Sequence, residues 1–468
     1  MATTQFDDVL SLDATAQAAL VRSGDVSAVE LLEATISRLD AVDDQLNVLS
    51  SRCYDEARQQ VLAGLPDGPF TGVPFLVKDL IAEVAGTPQT EGSPAQRTVY
   101  ALGDSELVRR YRRAGLVIVG RSTTSEYGHA PVTDGRLCGP TRNPWDPSVT
   151  AGGSSGGSGA AVAARAVAVA HGNDAGGSLR IPAACCGVFG LRPTPGLMPM
   201  ETKHGILTRR FVSEHVIART TRDSAAVLDC TRLRPAVSGP GADPHPRPLR
   251  IAVQHGAPVD VAVDAASVAA VDKVARVCES LGHTVIEAAP SIDGETLFGA
   301  WFGMWSDFMG WHVTRTGRRL RRTPSPDDHD TMTWTLYETS QTRRPAQLLD
   351  DLTVLDEAAE VIQAFLAGVD IWMMPVLAQP PRPHGAFTAP GADANPYRTF
   401  SPFCRLANIA GVPACSVPTG GTDKHPRGVQ LVTRRYAEHI LLDLAAQLEH
   451  EMDWASLVPP MATATRSH

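Results

Sequence analysis

Gly152-Gly153-Ser154-Ser155-Gly156-Gly157-Ser158, followed by Asp174-Ala175-Gly176-Gly177-Ser178-Leu179-Arg180, is the stretch that decides how this chain folds and works. Two serine-bearing glycine loops stand a fixed distance apart, with 24 residues from Ser154 to Ser178. Glycine lets backbone come close to a reacting centre and turn its N–H groups toward it. Serine becomes a nucleophile only when a base takes its proton. Upstream, Val77-Lys78-Asp79 puts a lysine at the end of an apolar run. A lysine, a relay serine and a nucleophilic serine form one solution to that need.

Around these loops the patterning alternates between helix and strand. Residues 73–77 read as a short buried strand ending at Lys78, 106–114 as a charged helix and 116–120 as a core strand. Residues 158–166 are Ala-rich and helical, with the first glycine loop at their N-terminus, and 167–171 form a strand. Helical periodicity runs over 10–49, with Ser27 and Glu30 spaced as a capping box. Further on, 249–253 and 283–286 read as strands around a helix at 264–281, and 437–449 as a last helix. Residues 133–149, 231–249 and 380–398 are rich in Gly or Pro and read as loops or linkers. Alternation of this kind predicts an α/β fold around a mixed, mostly parallel sheet. The expected division is a helical segment over 1–60, a core over 61–232, a variable region over 233–398 and a C-terminal part of the core over 399–468.

The motifs resemble the amidase signature family, the Ser-Ser-Lys hydrolases. The resemblance runs from Phe70 to Asp229 and resumes in Asn408-Ile409-Ala410-Gly411-Val412-Pro413-Ala414 and Gly428-Val429-Gln430-Leu431. It implies a single large α/β/α sandwich and three roles: Ser178 as nucleophile, Ser154 as relay, usually after a cis peptide bond, and Lys78 as base. The backbone N–H groups of Ala175, Gly176, Gly177 and Ser178 then form an oxyanion hole. Asp174 and Arg180 hold that turn, and Ser155 supports the site. Lys78 must be neutral to accept a proton, which burial and nearby positive potential would achieve. Asp79 would oppose this, so its side chain is expected to point elsewhere. Asn173 stands where many relatives have threonine, and Thr150-Ala151 where a proline is common; both bear on loop rigidity. The stretches 171–174 and 213–220 are similar to the branch containing cyclic-amide and nylon-oligomer hydrolases.

Competing readings rest on the same residues. Gly153-Ser154-Ser155-Gly156-Gly157 also fits G-x-S-x-G, which makes Ser155 the nucleophile and needs an acid and a histidine, with His204, His215, His283 or His312 available. That reading leaves Asp174–Arg180 without a role. A phosphate-binding loop lacks its Gly-Lys-Ser/Thr. His171 reads as structural, and Cys185-Cys186 as packing.

Composition narrows the classes. A net charge of −9 gives no footprint for nucleic acid. The eight cysteines are scattered without C-x-x-C spacing, which argues against zinc and fits a reducing compartment. No run of 18 apolar residues and no signal-like N-terminus occurs, so a cytoplasmic protein without membrane partner, metal or cofactor is expected, as monomer or homodimer. The basic cluster Arg315, Arg318, Arg319, Arg321 and Arg322 reads as a solvated face.

Substrate signals are concentrated in Trp301-Phe302-Gly303-Met304-Trp305-Ser306-Asp307-Phe308-Met309-Gly310-Trp311. Five aromatics in eleven residues stand far above the chain average of 6%. Either this is a packing helix, or Trp301, Met304 and Trp305 wall an apolar substrate funnel. A funnel implies a small, neutral, hydrophobic or aryl amide, with carbamates or esters as side substrates. The rivals are the glutaminase subunit of a tRNA-dependent amidotransferase and a non-catalytic binding module.

Overall fold

A computed structural model of the chain describes residues 2–234, 247–387, 396–420 and 425–463. Its centre is one eleven-stranded sheet. The strands are β1 (Leu49–Arg52), β2 (Pro74–Lys78), β3 (Val117–Ser122), β4 (Val169–Asp174), β5 (Phe189–Arg192), β6 (Ser213–Ala218), β7 (Arg250–Val253), β8 (Thr284–Glu287), β9 (Ile371–Pro375), β10 (Ala414–Pro418) and β11 (Gly428–Val432). They lie in the order β1-β3-β2-β4-β6-β5-β10-β11-β9-β7-β8, so the glycine loops, the variable region and the C-terminal motifs all feed one sheet.

Side-chain alternation shows why helices cover both faces. Successive strand residues point to opposite sides. Along β2, Phe75 and Val77 join one apolar cluster and Leu76 another. Along β9, Met373 joins the first cluster while Trp372 and Met374 join a third. One continuous core therefore underlies one face, and two cores share the other. This is the α/β/α sandwich expected.

The expectation of a mostly parallel sheet is corrected. Pairing is parallel for β2 with β3 and β4, and for β7 with β8 and β9. It is antiparallel for β1–β3, β4–β6, β5–β6, β5–β10, β10–β11 and β9–β11. The antiparallel middle joins signature strands to C-terminal strands, and such pairs need no crossover helix.

The N-terminal helical run is broken into Ala14–Ser23 and Ala28–Leu46. Gly24 adopts a left-handed cap at φ 80°, and Ser27 then opens the next helix with the capping box read from sequence. Such a cap contributes about 1 kcal/mol. The helix ends at Leu46, and β1 follows, pairing with β3. Of the linker at 231–249, residues 235–246 lie outside the described residues, as do 388–395 of the loop at 380–398. No described helix is long and apolar enough to cross a membrane.

Candidate active site

Lys78 ends β2, and its position in the pleat puts it on the face of Leu76, where the Gly156–Ala163 helix packs. The glycine loop before that helix delivers both serines. Gly157 is required by close approach: a Cβ there would sit 2.4 Å from Thr123 Oγ1 and 2.6 Å from the Val48 carbonyl. The Gly153–Ser154 peptide is cis, as the resemblance implied.

The amine is held by three oxygens. Lys78 Nζ lies 2.7 Å from Ser154 Oγ, 3.0 Å from Ser155 Oγ and 2.7 Å from Asn173 Oδ1. Lys78, Ser155 and Asn173 are buried, as is Ser154. Burial lowers the Lys78 pKa to about 7, while the carboxylates of Glu214 and Asp174 pull the other way. The expected contribution of positive potential is therefore corrected: removal from water does the work, because an ammonium loses hydration that these oxygens only partly replace. Asp79 is turned away as expected, accepting from Thr90 N–H at 3.0 Å and lying 3.7 Å from Arg121. His171 Nδ1 accepts the Lys78 backbone N–H at 3.2 Å, and its Nε2 bonds Glu214. Burial lowers the His171 pKa, so it stays a neutral brace under β2.

The second loop is tied to the first by the Ser155 N–H, which donates to the Ser178 carbonyl at 3.3 Å. Ser178 sits in the turn between β4 and the Arg180–Cys186 helix. Asp174 and Arg180 build that turn. Arg180 Nε and Nη2 donate to the two Asp174 oxygens at 2.9 and 2.8 Å. Arg180 also donates to the Cys404 carbonyl at 2.7 Å, to Asn408 Oδ1 at 2.7 Å and to Gln430. Asn408 Nδ2 returns a bond to Asp174 Oδ1 at 2.9 Å. Burial opposes ionisation of Asp174, but Arg180, Arg192 and Asn408 outweigh it and hold the carboxyl well below its usual range.

One expected oxyanion donor is lost to this scaffold. The Gly177 N–H donates to Asp174 Oδ1 at 2.8 Å, so it is not free for a substrate. Gly177 shapes the turn instead: φ is +124°, and a Cβ would meet Cys404 Cβ at 2.6 Å. No hydrogen-bond acceptor among the described residues takes the N–H groups of Ala175, Gly176 and Ser178.

The aromatic run forms one side of the Gly294–Leu320 helix. Trp301 is its nearest approach to the turn: a Cβ on Gly176 would lie 3.6 Å from the Trp301 ring and 3.9 Å from Tyr397. Trp305 stacks behind Trp301 at 5.6 Å between ring centroids, and Phe211 meets Trp301 edge-on at 5.4 Å. Met304 is wholly buried and packs the interior of the same cluster as Ala175. The Arg405 guanidinium lies 3.8 Å from the centre of the Phe298 ring and 5.0 Å from that of Tyr397.

Ser155 makes its contacts with Lys78 and Asn173, and none of His204, His215, His283 or His312 bonds it. His215 is committed to Ser224 at 2.9 Å. The G-x-S-x-G alternative thus lacks its base. Cys185 and Cys186 are buried thiols whose pKa values burial pushes up.

Across the chain, the family model for amidases matches residues 30–442. This protein belongs to the amidase family. Its relatives include the 6-aminohexanoate-cyclic-dimer hydrolase of Paenarthrobacter ureafaciens, 36% identical over 97% of each chain. A solved structure of 6-aminohexanoate cyclic dimer hydrolase superposes with a TM-score of 0.89 at 32% identity, covering 97% of this chain and 99% of that one. A bacterial aryl acylamidase of the amidase signature family superposes at 0.86 with 25% identity, covering 97% and 99%. The likeness to the nylon-oligomer branch read from 171–174 and 213–220 agrees with these relatives, and the amidase is an amide-cleaving hydrolase.

Several residues of the amidase site were not singled out for what they do. Asn173 stood out in sequence, but only as a change in loop character, whereas its side chain reaches the amine. Asn408 and Gln430 sat in quoted motifs without a role; both close on Arg180 from more than 220 residues away in the chain. Glu214 gave no signal beyond lying in the 213–220 stretch.

Proposed function

We propose that this amidase hydrolyses small, neutral, hydrophobic amides, cyclic or aryl, through a Ser178–Ser154–Lys78 relay and an acyl-enzyme. Support comes above all from the Lys78 Nζ–Ser154 Oγ contact of 2.7 Å with an amine lowered to about 7. At neutral pH a large share of such an amine is free base. It takes the Ser154 proton as Ser154 takes that of Ser178, whose Oγ attacks the amide carbon. The developing oxyanion is met by the N–H groups of Ala175, Gly176 and Ser178, each worth about 3–4 kcal/mol in the transition state. When the C–N bond breaks, the proton returns through Ser154 to the leaving nitrogen. Water then enters, gives its proton to the same relay and frees the acid. No cofactor takes part in this scheme.

Substrate class follows from what stands over the turn. Trp301 and Tyr397 flank Gly176, so the group beside the scissile carbonyl meets aromatic rings. The relatives named for a cyclic dimer and for aryl amides agree with a bulky, uncharged amide. The test is turnover of a panel: a cyclic diamide, an acyl anilide, an aryl carbamate, an ester, acetamide and glutamine. The cyclic and aryl amides should be cleaved fastest, glutamine should be inert, and Ser178→Ala should cleave none. Glutaminase activity appearing only with added partner subunits would favour an amidotransferase role, and no turnover of any member would favour a binding module.

A further inference from the structure

The three oxygens around the Lys78 amine are not equivalent, and the difference lies in where their protons go. Asn173 Oδ1 carries none. The orientation of its amide is fixed from the other end, since Nδ2 donates to the Leu80 carbonyl at 3.2 Å. The carbonyl oxygen of the side chain must therefore face Nζ, at 2.7 Å, and it can only accept. Ser155 has one proton, and its Oγ–H is directed to the Asn173 backbone carbonyl at 3.3 Å. Toward Nζ, at 3.0 Å, Ser155 also accepts. Ser154 Oγ makes no other hydrogen bond among the described residues, so its proton is uncommitted.

A neutral lysine amine has two N–H donors and one lone pair. With Asn173 Oδ1 and Ser155 Oγ able only to accept, both N–H groups are used, and the lone pair is left facing the Ser154 hydroxyl. We propose that Asn173 is a positioning residue that, with Ser155, aims the free-base lone pair of Lys78 at Ser154. A neutral amide is suited to this task. It draws an N–H without adding the negative charge that would hold the amine as an ammonium. A carboxylate of the same shape would satisfy the same bond but raise the lysine pKa, since an opposite charge within ~4–6 Å typically shifts a pKa by about 1–3 units. Residue 173 thus sets both the direction of the lone pair and the pH at which it exists.

This inference rests on Lys78 being the base, so the experiment separates the two. The rate of covalent labelling by a fluorophosphonate probe, mapped to Ser178, is followed from pH 5 to 10 in the wild type, Lys78→Ala, Asn173→Asp and Asn173→Leu, with thermal unfolding of each. Asn173→Asp should label about tenfold or more slowly at pH 7 and recover at high pH, its acidic limb moved upward by at least about one unit. Asn173→Leu should label more slowly at every pH, because one N–H loses its acceptor and the lone pair is no longer directed. If Lys78→Ala labels as fast as the wild type, the assignment of the base fails. If Lys78→Ala is silent while folded Asn173→Asp keeps the wild-type limb, or folded Asn173→Leu labels at the wild-type rate, the base stands and the role of Asn173 is overturned.

Discussion

Around Lys78 the contacts are directional, while along the Gly294–Leu320 helix they are broad. The amine has three partners within 3.0 Å, and the turn carrying Ser178 is braced by Asp174, Arg180, Asn408 and Gln430. The helix contributes rings on rings: Trp301 on Trp305 at 5.6 Å, Trp305 beside Phe308 at 5.2 Å, Phe308 on Trp311 at 6.3 Å. Directional bonds demand one residue type at one place. Ring packing accepts many residues of similar size. In the proposed function the amine-centred region specifies the reaction, and the aromatic helix is the part whose substitution would change the substrate without touching it.

The strongest way to break this contrast is Ser178→Ala. It should lower amidase activity by about four orders of magnitude or more, because members of a catalytic unit fail together, while the unfolding midpoint stays within a few degrees. Retained activity would remove the chemistry from this region altogether. Next comes Arg180→Met, which leaves the buried Asp174 carboxylate without its main partner. Denaturant unfolding should show a loss of about 3–5 kcal/mol, since breaking a buried pair strands a charge; a loss below about 1 kcal/mol would mean that Asn408 and Arg192 suffice.

A milder probe compares substrates. Trp301→Ala should lower kcat/KM for an acyl anilide about tenfold or more relative to acetamide, whereas Trp305→Ala, one ring further from Gly176, should discriminate less. Equal losses on both substrates would make the helix a packing element only. The pH dependence of the wild type sharpens the other side. In the proposed relay the free amine is the active form, so kcat/KM should rise with pH through about 7 and fall about tenfold per unit below it. A flat profile from pH 5 to 8 would contradict a lysine base. Smallest of all, Trp311→Ala at the 40% exposed end of the aromatic run should change stability by less than about 1 kcal/mol and leave the anilide-to-acetamide ratio unchanged.

What could be read from the sequence follows the same division. The α/β class was legible because strand and helix periodicities alternate from residue 73 onward, the sandwich came from the family resemblance, and the capping box at Ser27 marked a helix start that the structure keeps. Strand direction was not: periodicity reports which face a residue occupies, and the antiparallel pairs β5–β10 and β9–β11 form through contacts remote in sequence. At the site, the resemblance carried by the two glycine loops led to the expectation that Lys78 and Ser154 act together, and the structure brings the Lys78 amine to Ser154 and Ser155. That Gly177 spends its N–H on Asp174 was hidden, since nothing local says where one donor in a glycine turn will point. That burial lowers the Lys78 amine against two carboxylates rather than with the help of positive charge was hidden too, as Glu214 and Asp174 come to it from β6 and β4. Trp301 stood out by composition, but its nearness to Gly176 arises only when the variable region docks on the core.

The central claim is that a buried, neutral Lys78 activates Ser178 through Ser154. It is tested most directly by intact mass and peptide mapping after exposure to a fluorophosphonate, in the wild type and in Lys78→Ala at equal folded concentration. The account predicts a single adduct on Ser178 in the wild type and almost none in the variant. An adduct on Ser155, or equal labelling of Ser178 in both proteins, would contradict it.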